Sequence, residues 1–419
     1  MTNATSERTL YVGLYLPAQS EPTTAAIMKL KRVGNAEAGH FAYGLGYLEK
    51  PEAISLNPDH LPLQKAVFQL ASRLIREGGA MPLTIKDALP DAWGRLVIAH
   101  QLGGRIASDD ELLLLTNDDR VGAMVFSETT RMPECVPSPR FDLKQLADAV
   151  KRLQYDLTVP EPLKRLLHQG ASLGGARPKA SFVHDNALWL AKFPANDDPV
   201  DVQTLEAATQ GLAMQCGIRV PRSMTVAIGK GEHAFLSQRF DRIQPVDNPR
   251  RLHYLSASAL LNIPYESSAG SYTEFARVLR RLSIVPGEDL KELFRRMVFN
   301  ILVDNSDDHL KNHGMLYMGN GRFRLSPAFD IVPQLTNLGY QMLSIDGISQ
   351  EASLDRAIQS AAHFGLSIDD AQRVVSELAE TVYKQWATYF KVARVSTPLM
   401  NRVKSCFERQ ARIVGAPVR

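Results

Sequence analysis

Hydrophobic residues cluster in short runs at the beginning of the chain. Residues 10–16, 26–30 and 40–43 are mostly aliphatic and aromatic, which predicts a small β-rich start. Residues 63–75 and 93–102 instead show the wider spacing of helices that bury one face. The N-terminal part is therefore predicted to form a sheet and then helices.

The middle of the chain predicts a connector, a hairpin and a helix. Three prolines indicate a connecting segment before a new unit begins near residue 160: Pro133, Pro137 and Pro139. Residues 181–183 and 188–193 predict two strands joined by a polar turn, and residues 234–242 predict another strand. Between them, apolar positions from Leu205 onward have helical spacing.

The C-terminal half predicts mostly helices. Apolar residues repeat at helical spacing across 290–302 and again across 371–382. Two short segments, 323–325 and 331–332, predict strands on either side of Asp330. A buried helix followed by a polar loop and short strands suits a functional site, because it holds the loop on a rigid platform.

Composition favours a soluble enzyme of two or three domains, with 419 residues and 45% hydrophobic content. No apolar stretch reaches the roughly 20 residues of a membrane span, and residues 1–8 lack a secretory core. We therefore expect a cytoplasmic protein without membrane contact. Cys135, Cys216 and Cys406 form no CxxC pair, which argues against a disulfide framework or zinc site. The net charge of +3 does not by itself indicate nucleic-acid binding.

Three polar side chains have the order that magnesium-dependent phosphoryl transfer requires. Asn312 follows Asp307 by five positions, and Asp330 stands beside an apolar run. A kinase needs a base for the attacking hydroxyl and oxygen ligands for Mg²⁺. Asp307 would be the base, and Asn312 and Asp330 the ligands. The alternative is that each of these residues caps a turn.

A second alternative concerns His309 and His313, which are four positions apart. On a helix they would share one face, as in some zinc sites. No glutamate follows His309 at the position that such a zinc motif requires, and the intervening Lys311 and Asn312 indicate a loop. We therefore expect His309 to orient the catalytic loop.

Two further features fit a nucleotide site. Residues 170–179 supply glycines that can approach phosphates, followed by two cations, although the pattern is neither a Walker A loop nor GxGxxG and a simple turn is the alternative. Lys192 lies among apolar residues near a strand end, like the kinase lysine that pairs with phosphates and a helix glutamate. Glu206 is its candidate partner, and a snorkelling surface lysine is the alternative.

In this order, the segments resemble the HipA family of bacterial serine/threonine kinases, the toxins of type II toxin–antitoxin modules. The resemblance covers roughly residues 8–395. It rests on these segments: 87–95 (DALPDAWGR), 118–124 (DDRVGAM), 172–179 (SLGGARPK), 192–194 (KFP), 238–242 (QRFDR), 307–312 (DDHLKN) and 327–330 (PAFD).

The resemblance implies an α+β, bilobal protein-kinase-like fold of the HipA type. Residues 1–130 would form a β-rich N-terminal subdomain. Residues 131–241 would form the small lobe, with the connector, phosphate loop and nucleotide lysine. Residues 242–419 would form a mostly helical large lobe, with the catalytic loop and the metal-binding aspartate. ATP and Mg²⁺ are the implied cofactors.

The resemblance also implies residue roles. Asp307 would be the catalytic base, Asn312 and Asp330 would bind the nucleotide through Mg²⁺, and Lys192 would contact its phosphates. The other implied ATP-binding residues are Gly174, Gly175, Ala176, Arg177, Pro178, Lys179, Gln238, Arg239, Phe240, His309 and Lys311. Ser172 matches the serine that family members autophosphorylate, which would add about −1.5 to −2 charges beside the triphosphate site. Its alternative role is a hydrogen bond within the loop.

Partners follow from the same resemblance. It implies a helix-turn-helix antitoxin of the HipB kind, operator DNA bound through that complex, and an aminoacyl-tRNA synthetase as protein substrate. One position and one segment depart from the family pattern: Gln238 stands where an acidic residue is common, and residues 254–258 replace an acidic segment. Two alternatives stay open: an antitoxin-binding module with vestigial catalysis, and a kinase for a small molecule or lipid.

Overall fold

The computed structural model describes residues 5–17, 19–116, 119–134, 142–160, 164, 167, 177–243, 250–335 and 339–414. The chain divides into two compact units. The first comprises Met1–Leu190, Asp241–Leu255 and Gly319–Gly321, and the second comprises Ala191–Phe240, Ser256–Met318 and Arg322–Arg419. The three-domain division at residues 130 and 241 stays a prediction, and the connector residues Pro137 and Pro139 lie outside the described ranges.

Strands occur in both units. In chain order they are β1 (Thr5–Tyr15), β2 (Pro22–Val33), β3 (Ala36–Tyr43), β4 (Val67–Leu74), β5 (Met124–Ser127), β6 (Lys179–His184), β7 (Ala187–Lys192), β8 (Ser223–Gly229), β9 (Glu232–Gln238), β10 (Arg242–Ile243), β11 (Arg250–Arg251), β12 (Tyr254–Ser256), β13 (Gly314–Gly319) and β14 (Arg322–Leu325).

Helices dominate the second unit. In chain order they are α1 (Leu45–Leu48), α2 (Leu83–Lys86), α3 (Ala92–Gln101), α4 (Asp109–Leu115), α5 (Leu143–Gln154), α6 (Val202–Gln215), α7 (Ala257–Leu261), α8 (Tyr272–Leu282), α9 (Pro286–Leu302), α10 (Leu354–Gln359), α11 (Ile368–Val392) and α12 (Thr397–Val414). Short 3₁₀ helices cover Ile75–Glu77, Leu310–Asn312 and Ala361–Phe364. Within the described residues, no helix is both long and apolar enough to cross a membrane.

The first unit contains a five-stranded sheet in the order β4-β3-β2-β1-β5. Successive side chains of a strand point to opposite faces, and the alternate residues Leu10, Val12 and Leu14 of β1 are fully buried. Leu10 pairs with Met28 on β2, and Met28 pairs with Phe41 on β3. The predicted β-rich start is confirmed.

The prediction of a helix across 63–75 is wrong. Residues Val67–Leu74 form β4, which pairs antiparallel with β3 at the edge of the sheet. Most of its side chains are exposed, and Val67 is 58% accessible. The apolar spacing therefore does not mark a buried face, and pairing with β3 decides the conformation. The predicted helix at 93–102 is confirmed as α3.

The predicted hairpin in the middle of the chain is confirmed as β6 and β7. Its turn is made by Asp185 and Asn186, both in the left-handed region with φ of 47° and 56°. Asn and Asp tolerate this conformation better than most residues, and successive left-handed residues suit a tight hairpin. In the first unit, the Trp93 indole donates to the backbone oxygen of Lys179, at 3.0 Å, where β6 begins.

The second unit combines the antiparallel hairpin β8–β9 with packed helices. The helices predicted from Leu205, from 290–302 and from 371–382 are confirmed as α6, α9 and α11. The predicted strand at 323–325 is confirmed as β14, but the one at 331–332 is wrong, since these residues are not extended in any ladder. Asp330, with φ of 59°, turns the backbone just before them.

Candidate active site

Lys192 joins two carboxylates in the second unit. Its Nζ lies 2.6 Å from Glu206 Oε1 and 2.9 Å from Asp330 Oδ1. Lys192 and Glu206 are buried, whereas the Asp330 side chain is 47% exposed. The lysine Nζ also lies 5.9 Å from the centroid of the Phe235 ring. The alternative of a snorkelling surface lysine is therefore wrong.

Burial alone would lower the pKa of Lys192, because it disfavours the charged form. The carboxylates of Asp330 and Glu206 outweigh this effect and raise the pKa above its ordinary value. Lys192 is thus a permanent cation in the neutral range. The cation is held between the buried carboxylate of Glu206 and the partly exposed carboxylate of Asp330.

Helix α6 holds Glu206 in place. Its N-cap residue Asp201 accepts a hydrogen bond from the Thr204 backbone N–H at 3.1 Å, as preferred N-cap residues do. The other carboxylate oxygen of Asp201 lies 2.6 Å from His233 Nδ1 on β9. This pair fixes the start of α6 against the β8–β9 hairpin.

Asp330 follows an aromatic contact and a backbone reversal. The Phe329 and Phe240 rings have centroids 5.6 Å apart, so the end of the predicted hinge contacts the residue before the aspartate. Asp330 itself has φ of 59°, which Asp tolerates. The turn separates its partly exposed carboxylate from the buried residues Ala328 and Ile331.

A buried charge network anchors the segment that leads to Asp330. Asp289 of α9 is fully buried and accepts from the Leu325 backbone N–H at 2.9 Å and from Arg219 at 3.0 Å. The Arg219 carbonyl accepts from the Ala328 N–H at 2.7 Å, and Arg296 donates to Ser326 O at 2.6 Å. These bonds run from α9 to within two residues of the aspartate.

The catalytic-loop candidates lie directly after α9. Asp307 is exposed, and Asn312 is buried in the 3₁₀ helix Leu310–Asn312. The Asn312 amide Nδ2 donates to the backbone oxygen of Asp307 at 3.2 Å. This bond ties the two residues together. It uses only the amide nitrogen, so the amide oxygen remains as an atom of the type that coordinates a cation.

His313 has a different role from a metal ligand. Its Nε2 lies 2.9 Å from the buried Asp308 Oδ1. His309 instead packs its ring 5.2 Å from that of Tyr265, and Lys311 Nζ lies 4.7 Å from the same ring centroid. The two histidines do not share a helix face, so the alternative zinc pair receives no support.

The hinge candidates end strand β9. The Gln238 N–H donates to the Arg222 carbonyl at 2.8 Å, and Arg239 is buried. Phe240 contacts Phe329 as described above. The hinge residues are thus held from both sides within the second unit.

The phosphate-loop candidates are only partly described. Ser172, Gly174, Gly175 and Ala176 lie outside the described residues. The remaining three, Arg177, Pro178 and Lys179, lie in the first unit, where Lys179 begins β6 and is buried. Their roles in binding phosphates stay predictions.

The donor set fits magnesium better than a transition metal. Among the described residues, no group of three or more His, Cys, Asp and Glu side chains could hold a metal ion. Mg²⁺ is commonly held by one or two protein oxygens, with substrate phosphates and waters completing its shell. The amide oxygen of Asn312 and the half-exposed carboxylate of Asp330 are ligands of that kind.

Sequence reasoning missed the buried side chains behind the catalytic loop. The hydroxyl group of Tyr272 on α8 donates to Asp308, and the amide of Asn300 on α9 donates to that hydroxyl oxygen. Asn300 gave a signal, since it is an amide within the apolar stripe of α9. Tyr272 gave none, because its contact depends on how α8 packs against α9.

Comparison with known proteins places the chain in a family. The profile of the HipA-like C-terminal domain matches residues 171–386. The curated protein "Putative kinase Y4mE" of Sinorhizobium fredii is 28% identical over 407 residues, covering 89% of this chain and 86% of that protein. "Putative kinase Y4dM" of the same organism is 22% identical over 391 residues, covering 89% and 91%.

A solved structure shows the same fold over nearly the whole chain. The Shewanella oneidensis HipA chain, from a complex of that toxin–antitoxin system with HipB and operator DNA, has a TM-score of 0.69. The superposition covers 97% of this chain and 98% of the Shewanella oneidensis chain, and the two sequences are 16% identical. The mixed α and β architecture, with its β-rich N-terminal region, is the fold of that HipA chain. The profile match covers more than half of the sequence, and the chain belongs to the HipA family.

Proposed function

We propose that the chain is a Mg²⁺- and ATP-dependent serine/threonine protein kinase and the toxin of a toxin–antitoxin module. The contact of Lys192 Nζ with Glu206 at 2.6 Å and with Asp330 at 2.9 Å carries this proposal. Kinases require a lysine held by a helix glutamate beside the aspartate that binds the metal. Positions far apart in the sequence supply these three groups.

The residues divide the reaction between them. Asp307 would accept the proton of the attacking hydroxyl group. The oxygen of that hydroxyl group would bond to the γ-phosphorus, while the bond from the γ-phosphorus to the ADP oxygen breaks. Lys192 would hold the phosphates. Asn312 and Asp330 would hold Mg²⁺, which neutralises charge on the phosphates when bound. The exposure of Asp307 suits a base that must reach a protein hydroxyl.

The family resemblance supports a finer proposal for Ser172. Autophosphorylation of this serine would place about −1.5 to −2 charges in the predicted phosphate loop and oppose ATP binding. Mass spectrometry of chain incubated with ATP and Mg²⁺ should locate phosphate at Ser172. Phosphate found only at other positions would overturn this assignment.

Partners and substrate are proposed on the same basis. We expect a helix-turn-helix antitoxin, operator DNA bound through the antitoxin complex, and an aminoacyl-tRNA synthetase as the target, all in the cytoplasm. The solved HipA relative forms a complex with HipB and operator DNA. Co-expression with the product of a neighbouring reading frame should yield a stable complex. This complex should bind the operator DNA upstream of the two genes and retard it in a gel mobility-shift assay.

The kinase proposal is tested with γ-labelled ATP, Mg²⁺ and a cell lysate. The wild type should label a small set of proteins on serine or threonine, and Asp330→Asn should not. Labelling of lipid or of a small molecule alone would establish the other acceptor class. Wild-type labelling that Asp330→Asn leaves unchanged would contradict the site.

A further inference from the structure

Two pairs of side chains are interleaved in the catalytic loop. Asp307 and Asn312 are five positions apart, and so are Asp308 and His313. In the first pair, Asn312 Nδ2 donates to the Asp307 backbone oxygen at 3.2 Å. In the second, His313 Nε2 and Asp308 Oδ1 lie 2.9 Å apart. Asp307 is exposed, whereas Asp308 and His313 are buried.

A line of hydrogen bonds runs through the core to Asp308. Asn305 Nδ2 donates to Asn300 Oδ1 at 3.2 Å, and Asn300 Nδ2 donates to the Tyr272 hydroxyl oxygen at 3.1 Å. The Tyr272 hydroxyl in turn donates to Asp308 Oδ2. His313 reaches the other carboxylate oxygen, so both oxygens of Asp308 are occupied. Donors aligned in this way polarise one another and strengthen each bond.

The backbone of the loop is held from another direction. The Met342 N–H donates to Ser306 O at 3.0 Å, and the Leu343 N–H donates to Asp308 O at 2.8 Å. The His313 carbonyl accepts from the Ala257 N–H at 2.8 Å. The two ends of the loop are therefore fixed to different elements, and the contact between Asp308 and His313 joins them side chain to side chain.

We propose that Asp308, Tyr272 and His313 form a buried clasp that positions Asp307 and Asn312 for catalysis. The clasp is defined by the contacts of Asp308 with the other two side chains. None of its three members is assigned a contact with the substrate, so they are positioning residues. The proposal deepens the kinase function proposed above and rests on it.

The energetics of burial support a fixed geometry. Burial would raise the pKa of Asp308, but His313 and Tyr272 outweigh burial and lower it, so the group is a carboxylate. A buried carboxylate is costly unless donors of good geometry surround it. A shift of the loop would break these bonds, so the loop is held in one arrangement. A rigid loop suits catalysis, because small displacements of a reacting group cost rate.

Tyr272→Phe is the cleanest test, since it removes one hydroxyl and keeps the ring that packs in the core. We expect ATP turnover with Mg²⁺ to fall by about tenfold or more in kcat, with KM for ATP changed by less than about threefold. Asp308→Asn should have a similar effect. Because both substitutions break the same contact, the double variant should lose much less than the product of the two single losses.

Val375→Ala is the matched control, because it truncates a buried side chain of α11, a helix that supplies no residue of the clasp. It should lower the melting temperature at least as much as Tyr272→Phe and leave kcat unchanged. A purely structural role would make both variants lose melting temperature alone. An unchanged kcat in Tyr272→Phe, with an active wild type, overturns the clasp.

Hydrogen–deuterium exchange separates failure of the clasp from failure of the kinase proposal. Peptides covering residues 304–314 should exchange faster in Tyr272→Phe than in wild type, while peptides of α11 should not. This readout needs no activity. A wild type without ATP turnover overturns the kinase proposal, whereas unchanged exchange in residues 304–314 overturns the clasp in either case.

Discussion

Lys192 Nζ and Asp330 Oδ1 lie 2.9 Å apart although 138 positions separate them in the sequence. The lysine ends strand β7, and the aspartate, whose own backbone is left-handed, follows the β13–β14 hairpin. Glu206 of α6 contacts the same ammonium group. A cation shared between a buried and a half-exposed carboxylate is the feature on which the proposed nucleotide site depends.

Replacing Lys192 with methionine should remove phosphate transfer. Methionine keeps the apolar contacts of the side chain but leaves the buried Glu206 carboxylate without its cation, so we expect a loss of about 3–5 kcal/mol in the free energy of unfolding. Phosphate transfer should fall by at least about 10²-fold, because the phosphates lose their counter-charge. Urea unfolding and single-turnover transfer from labelled ATP measure the two effects.

Lys192→Arg is the control for this change. It keeps the charge but not the compact ammonium geometry, so it should restore most of the stability and little of the activity. Full activity in Lys192→Met would exclude the lysine from the site.

The raised pKa of Lys192 also makes a prediction about pH. The stabilising effect of the lysine charge is complete below the unfolded pKa of about 10.4. The difference in the free energy of unfolding between wild type and Lys192→Met should therefore not decrease between about pH 7 and pH 9.

Asn312→Ala should increase the magnesium requirement. The variant loses the amide oxygen proposed as a ligand and also the bond to the Asp307 carbonyl. We expect the Mg²⁺ concentration for half-maximal ATP turnover to rise by about tenfold or more, as for other losses at metal sites. Asn401→Ala, on the exposed surface of α12, is the control and should behave as wild type. Equal Mg²⁺ dependence in both variants would remove Asn312 from the metal site.

Glu292 should make stability depend on pH in the acid range. Burial would raise its pKa, but Arg296 and Arg219 outweigh burial and lower it. A lowered folded pKa means that the stabilisation is present above the unfolded pKa of about 4.3 and is lost as pH falls through the folded value. The stability cost of Glu292→Gln should therefore be largest near pH 7 and smallest below about pH 4.

Thermal unfolding of both proteins between pH 3 and pH 7 measures this difference. Glu380→Gln is the control, since Glu380 pairs with Lys384 on the exposed surface of α11 and should not change the melting temperature. A Glu292→Gln cost that stays constant down to pH 3 would show that the carboxylate charge does not stabilise the fold.

The sequence was most informative where local pattern and chemistry agree. The apolar spacing of 290–302 predicts α9 because that helix buries most of one face. Lys192, Glu206 and Asp330 could be selected because a kinase needs these residue types in this order. Their contacts had to be seen in the structure, since no local pattern specifies a bond across 138 positions.

Tertiary contacts override the local sequence preference in several places. Residues 67–74 have helix-like apolar spacing but pair with β3, which satisfies their backbone groups in a sheet. The residues after Asp330 are apolar, yet its left-handed backbone prevents a continuous strand. The bond from Tyr272 to Asp308 could not be predicted, because it joins a helix side chain to a loop side chain 36 positions away.

Asp307 provides the most direct test of the proposed kinase site. In Asp307→Asn the shape of the side chain is kept and its ability to accept a proton is lost. The test is the single-turnover rate of phosphate transfer from labelled ATP, measured together with the ATP affinity and the melting temperature. The account predicts a rate lower by about 10²- to 10⁴-fold with ATP affinity and melting temperature as in wild type. A wild-type rate in Asp307→Asn would contradict it.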